Sequence, residues 1–471
     1  MAEKPLVSRG FDRRIVEGPI PGAVWRLAWP TMLQNVIGGL QGIIDHAMVG
    51  HYVGFVGNAA IGVAWQIFLV VIVFIVSVFT GMGILVARFA GQNDARKVNR
   101  TVYQAFLTAA VLSIGVMAPL GYVFSPYLLG LVNAAPEVTT EALPYLRIMF
   151  VFSFGLMMFF MTAGAFRSAG DATTPLRLGI LLTVLNITLN VILIRGFGPI
   201  PAFGTTGAAM GTVISAGIIS VIVLALLLSN RAVVAFERGM SWRLDWGIIR
   251  ELFRFGLPTG VQGIAMNVGG VVLLRFVGGL ERSAEAQAVY AVGYTELFSL
   301  VTWTSVGLMG AAAAVAGQNL GAGRPDRTVH AVRVAVYFGV AMALLIGALF
   351  VTIPRVLLGV FGMTEPVVVD LGVQLLSYLA VSGFFVTVAL TYTAGLQGTG
   401  DTRSPLYISI VSQLIVPLGL CAAIDAMRGL EAGDIWLAIV LGHATRALLS
   451  VVRFRQGRWR DIEVRIDGGR G

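Results

Sequence analysis

The chain has one cysteine, Cys421, four histidines, and few charges: Asp, Glu, Lys and Arg together make up 12% of its 471 residues. A single thiol excludes an internal disulfide framework and any thiolate metal site. So few histidines and cysteines leave no ligand cluster or nucleophile constellation of the kind an enzyme assembles. Charges this sparse cannot coat a soluble protein that is 57% hydrophobic with a mean hydropathy of +0.84. What is plentiful fits a lipid-facing chain instead. The 58 glycines suit helices that pack backbone to backbone. The 17 prolines are tolerable in membrane helices, where neighbours re-satisfy the freed carbonyls.

Apolar stretches near the ~20 residues needed to span a bilayer occur at 23–50, 60–87, 102–124, 143–166, 176–195 and 207–228. A second set follows at 252–276, 288–314, 331–351, 375–397, 405–424 and 434–453. The first run follows Arg13, Arg14 and Glu17, leads into Gln34 and lacks a small-residue cleavage site, so it reads as a span and not as a cleaved signal.

The net charge of +9 is topological. Twelve spans would put every Lys and Arg on one side except Arg147, Arg195, Arg275, Arg282, Arg355 and Arg428. That bias places both termini in the cytoplasm and removes the reason to expect nucleic acid as a partner. The expected organisation is a tail at 1–22, an N-lobe at 23–228, a linker at 229–251, a C-lobe at 252–453 and a tail at 454–471.

The two sets are copies. Trp29-Pro30-Thr31 with Gln34 returns as Leu257-Pro258-Thr259 with Gln262. Ala90-Gly91-Gln92-Asn93 returns as Ala316-Gly317-Gln318-Asn319, and Gly170-Asp171-x-x-Thr174-Pro175 as Gly400-Asp401-x-x-Ser404-Pro405. The offsets, 228, 226 and 230 residues, are nearly constant, the mark of a duplication. Six spans per copy give both halves one orientation, related by an axis along the membrane normal, with a substrate cavity expected between them. The repeated motifs themselves read as helix punctuation: Thr174 and Ser404 as N-caps before a first-turn proline, and Gly-Gln-Asn as helix ends.

Chemistry is expected where the copies differ. Pro30, Gln34, Gln41 and Asp45 share one face of the first span, and Thr183, Asn186 and Asn190 share one face of the fifth. The copied positions of Asp45, Asn186 and Asn190 are Leu273, Val416 and Leu420. An acid within the membrane must face protein or water. Surrounded by amides, it suits a proton, and the oxygens of Asp45, Asn186, Asn190 and Thr212 equally suit Na⁺. Glu296, in the eighth span, is a second interior acid. His443 and Arg446 read as packing or snorkelling groups near the end of the last span. Met157, Met161, Tyr294 and Tyr392 belong to methionine and aromatic clusters fitting the soft wall of a promiscuous cavity.

Taken in order and duplicated, these residues resemble the multidrug and toxic compound extrusion (MATE) transporters over about 23–459. The resemblance rests on Trp29-Pro30 followed by Ile44-Asp45-His-Ala-Met-Val49-Gly50 and on Gly317-Gln-Asn-Leu-Gly-Ala-Gly323-Arg-Pro325. It also rests on both Gly-Asp-x-x-(Ser/Thr)-Pro turns, Trp436-Leu-Ala-Ile-Val440 and Arg455-Gln-Gly-Arg-Trp459. It implies an all-α integral membrane fold of twelve transmembrane helices in two pseudo-two-fold-related six-helix bundles. It implies export of amphipathic, often cationic compounds in exchange for H⁺ or Na⁺, with no other cofactor. Pro30 matches the family's helix kink, Asp45, Asn186 and Asn190 its N-lobe coupling site, and Thr212 the sixth-helix hydroxyl. The NorM-like branch has acids in the seventh and tenth helices. Here Met266 and Asn267, then Phe384, Phe385 and Thr391, occupy those regions, which resembles the DinF-like arrangement. Gln34, Gln41, Met266 and Glu296 complete the expected cavity lining, and a monomer in contact with membrane lipids is expected. A flippase for lipid-linked oligosaccharides and a dedicated metabolite exporter stay open as alternatives on the same fold.

Overall fold

The computed structural model describes residues 10–464 and 466, apart from 133 and 238. The ends of both expected tails lie outside this range. Among the described residues, long helices follow one another and no strand is formed. They are α1 (Ile20–Tyr52), α2 (Phe55–Gly91), α3 (Ala95–Leu131), α4 (Pro136–Val151 and Phe154–Ser168), α5 (Thr173–Arg195) and α6 (Gly204–Leu228). The second copy supplies α7 (Trp246–Gly278), α8 (Ser283–Gly321), α9 (Pro325–Thr352), α10 (Pro366–Gly398), α11 (Arg403–Arg428) and α12 (Ala432–Arg455). Ten of these are long and apolar enough to cross a membrane, or eleven if α4, bent by 54° after Val151, counts as one span. α1 stands outside that set, because Gln34, Asn35, Gln41, Asp45 and His46 lower its hydropathy.

By packing, the chain forms two compact units. One consists mainly of Leu33–Gly260, the other of Arg14–Met32 with Val261–Glu463. α1 continues unbroken through Pro30, although proline removes one backbone hydrogen bond there.

The repeated turns are built alike in both units, but not as their residue order suggests. Gly170 and Gly400 both take φ of 101°, a conformation glycine adopts without a Cβ penalty. The side chains that cap α5 and α11 belong to aspartate and not to Thr174 or Ser404. Asp171 Oδ1 accepts from Thr174 N at 3.0 Å, and Asp401 Oδ1 accepts from Ser404 N at 3.1 Å. The hydroxyls of Thr174 and Ser404 donate to the second carboxylate oxygens, because a carboxylate can accept backbone and hydroxyl donors at once. The Gly-Gln-Asn copies also diverge. α2 ends at Gly91, whereas α8 runs past Gly317, Gln318 and Asn319 to Gly321.

Each unit also straps down a non-membrane segment. In the first, Asn99 Oδ1 accepts from Ala235 N at 3.0 Å, and Gln104 donates to Arg243 O at 3.1 Å and accepts from Asp245 N at 3.0 Å. In the second, Asn319 and Arg327 donate to Ile15 O and Gly18 O at 3.2 and 2.6 Å. The stretch 229–251 is therefore docked on α3 as well as connecting two helices.

Candidate functional site

Within the first unit, the polar face of α1 lies along that of α5. Gln34 packs over Gly179, Thr183 Oγ1 donates to Gln41 Oε1 at 2.8 Å, and Asn190 Nδ2 donates to Asp45 Oδ1 at 2.8 Å. From Gln34 to Asp45 and from Gly179 to Asn190 the chain advances by the same number of residues in the same direction, so the two helices run parallel. Gln41 is a second hydrogen-bonding neighbour of the Asp45 carboxylate.

The network continues away from α1. Asn190 Nδ2 also reaches Asn186 Oδ1 at 3.3 Å, and Asn186 Nδ2 donates to Thr212 Oγ1 on α6 at 3.1 Å. Thr212 in turn donates to Ala208 O at 3.1 Å. Asn186 and Asn190 are fully buried, while Asp45 and Thr212 are half-buried. Asp45, Asn190, Asn186 and Thr212 thus form one chain across three helices. It exposes an acid at one end and places the amides in a dry interior, where their hydrogen bonds are strengthened.

One atom of this chain is unsatisfied. Asn190 Oδ1 is buried without a hydrogen-bond partner among the described residues. It rests against Gly211 so closely that a Cβ there would collide with it. An amide presents two donors on one side and an acceptor on the other. With nitrogen toward Asp45, the site holds a carboxylate through donors. Turned over, the same amide would set an oxygen beside the carboxylate, a pair of hard-oxygen donors of the kind alkali cations take. The residues therefore fit either a proton on Asp45 or a monovalent cation.

The second unit lacks this chemistry at the copied positions. Gln262 Nε2 donates to Ser409 Oγ at 2.8 Å, repeating the contact of Gln34 with position 179. Farther along the helices, however, Leu273 is buried in an apolar cluster against which Leu420 packs. The duplicated α7–α11 contact is kept, with hydrocarbon where the first unit has an acid and amides.

The remaining expected residues scatter. Met157 and Met161 are fully buried in the first unit, and Met266 is half-buried in the second. Tyr294 belongs to an aromatic stack with Tyr290 and Phe298. Glu296 lies on the same π-helical turn, Ala291–Leu297, half-buried. Tyr392 packs edge-on against Phe454 and lines a cavity of about 300 Å³ with Arg333, Trp459 and Arg460. Pro30 belongs to the second packing unit and Asp45 to the first. His443 and Arg446 do not snorkel: each is only 4% exposed.

Two residues beside this network have no signal in the sequence. Tyr145 on α4 is buried and is an electrostatic neighbour of Asp45, yet reads as one more aromatic in an apolar span. Gly211 is one of many glycines in α6, and only its contact with Asn190 sets it apart.

A family model described as MatE matches residues 30–192 and 258–422, one match in each copy. The chain is 24% identical over 446 residues to a probable multidrug resistance protein NorM of Thermotoga maritima, covering 92% of each chain. It is 26% identical over 441 residues to multidrug resistance protein MdtK of Pectobacterium atrosepticum, covering 91% of this chain and 94% of that one. Its fold is similar to the outward-facing structure of a multidrug resistance MATE family transporter of the MOP superfamily, with a TM-score of 0.88 at 20% identity over 97% of this chain and all of the other. With both copies matched and the relatives covered nearly end to end, the chain belongs to the MatE family.

Proposed function

We propose that this protein is a secondary active exporter of small amphipathic, largely cationic organic compounds, coupled to inward flow of H⁺ or Na⁺ through Asp45. It would work as a monomer in the plasma membrane with both termini cytoplasmic. The observation that carries the reading is the continuous chain Asp45–Asn190–Asn186–Thr212 across α1, α5 and α6. It joins an ionisable group to buried amides that have two usable orientations.

The physical sequence is short. A proton or cation arriving at Asp45 removes its negative charge and weakens its hold on the Asn190 amide. α1, already short of one backbone hydrogen bond at Pro30, bends and changes the pocket beside α5. Substrate leaves, and alternating access returns the protein to its inward-open state. The ion drives this only through unequal affinity for the two states.

The test is efflux of a fluorescent organic cation from cells lacking their own pumps, with proton and sodium gradients collapsed separately. Wild type should export and Asp45→Asn should not, and the gradient whose loss stops export names the ion. Full ion-driven export by Asp45→Asn would refute coupling at this site. A well-folded wild type that moves no organic cation would shift the reading to a dedicated metabolite exporter or lipid flippase.

A further inference from the structure

Where α9 begins and α12 ends, the second unit carries a basic pocket that the coupling chain does not use. Two adjoining cavities of about 360 and 300 Å³ share Val329, Arg333 and Arg460 as walls. His330 also lines the first and Arg455 the second. The residues after α12 build one wall. Gly457 turns the chain back with φ of 74°, a conformation that glycine adopts freely. Trp459, buried, then stacks on Phe454 at 5.0 Å and donates from Nε1 to Phe454 O at 2.8 Å. That anchor holds Arg460 on the wall it shares with Arg333. Among the described residues, Arg333 and Arg455 form no ion pair. The acid on these walls, Asp326, is 96% exposed and 3.9 Å from Arg460, a contact that water screens.

Arg333 is also the last charge before the membrane. From Val334 to Pro354 the chain holds no charged residue, a run that at ~1.5 Å per residue matches the ~30 Å core of a bilayer. His330, Arg333, Tyr337 and Leu344 follow one another on α9 at spacings of 3, 4 and 7, which is one helix face. Tyr337 lines the first cavity and is 66% exposed, and Leu344 is 61% exposed. This face therefore passes from cation to exposed aromatic to exposed aliphatic as it enters the membrane. A phospholipid has the same profile, from phosphate through glycerol ester to acyl chain, and tyrosine is at home at headgroup depth. A soluble anion would engage the arginines and leave Tyr337 and Leu344 without a role. We propose that the pocket binds an anionic phospholipid of the adjoining leaflet. Arg333 and Arg460 hold its phosphate through the paired donors that suit phosphate oxygens, and an acyl chain lies along Tyr337 and Leu344. Basic pockets between helices at the membrane surface are the usual seats of such headgroups. With both termini cytoplasmic, the leaflet is the inner one. The site requires only that the chain spans a membrane, and rests neither on export nor on coupling through Asp45.

The experiment is native mass spectrometry of the purified full-length protein in a neutral detergent. Phosphatidylglycerol and phosphatidylcholine with matched acyl chains are added in equal amounts, and the lipid retained is counted. Wild type should retain phosphatidylglycerol about ten-fold more than phosphatidylcholine. The double variant Arg333→Gln/Arg460→Gln should bring that preference to within about two-fold. Arg460→Gln alone, at an exposed position past the last helix, should lower it about three-fold and stands in if the double variant does not fold. Arg355→Gln/Arg428→Gln removes the same charge from exposed arginines outside the pocket and should leave the preference unchanged. Glycerophosphoglycerol, the same headgroup without acyl chains, should not displace the lipid at equal concentration. No preference in wild type, no loss in the pocket variants, or an equal loss in the control pair would overturn the proposal. Displacement by the soluble headgroup would overturn it too, and would assign the pocket to a soluble phosphate compound.

Discussion

The carbonyl oxygen of Asn190 rests on Gly211 with no room for a Cβ between them, while the nitrogen of the same amide holds Asp45 at 2.8 Å. The orientation of one buried amide is thus set on one side by a carboxylate and on the other by the absence of a side chain.

Gly211→Ala should therefore displace Asn190 and abolish ion-driven efflux. Overpacking should lower stability by about 1–3 kcal/mol, leaving a folded protein. Gly217→Ala, on the same helix where an added Cβ meets nothing within 4 Å, should leave both efflux and melting temperature unchanged. Efflux assays with thermal melts of the two purified variants check this.

Restoring symmetry should fail. Leu273→Asp puts an acid at the copied position of Asp45, but inside an apolar cluster where no amide answers it. An unpaired acid there should cost about 2.5–3.5 kcal/mol on insertion scales. The expected result is lower folded yield in the membrane with no new ion dependence, measured by fluorescence-detected size exclusion and efflux.

The twin aspartate caps should differ in weight. Asp401 is buried and also accepts from Arg453 Nε at 3.0 Å, whereas Asp171 accepts from backbone and hydroxyl groups of its own turn. Asp401→Asn should destabilise by about 2 kcal/mol more than Asp171→Asn, the value of a charge-assisted hydrogen bond. Thermal melts of the two single variants would show it.

Gln104 both donates to Arg243 O and accepts from Asp245 N, so Gln104→Ala should release this part of the 229–251 segment. Losing about 1–1.5 kcal/mol of local hydrogen bonding predicts roughly ten-fold faster amide exchange at Asp245, with protection in α5 unchanged. Hydrogen–deuterium exchange of the full-length protein reads both.

Much of the architecture was legible in residue order. A helix's length and its polar face are local properties, so twenty-residue apolar runs and the alignment of Gln34, Gln41 and Asp45 could be read directly. The duplication was visible for the same reason, because helix ends and turns need particular residues at particular positions. Its details were less secure. The Gly-Asp-x-x-(Ser/Thr)-Pro turn contains two candidate caps, and only the folded backbone decided that the aspartate reaches the free amides.

By itself, then, the sequence determined that the chain is a duplicated membrane bundle, that its halves differ in polarity, and which helix faces carry the polar groups. Tertiary structure decided what each face meets: Gln41 with Thr183, Asp45 with Asn190, and Gly211 against the Asn190 carbonyl. It also decided that Arg446 is enclosed and not stretched toward solvent. Periodicity fixes a direction around a helix axis, not the neighbour lying in that direction. In a bilayer, lipid and protein interior are equally apolar, so composition could not distinguish a residue facing one from a residue facing the other.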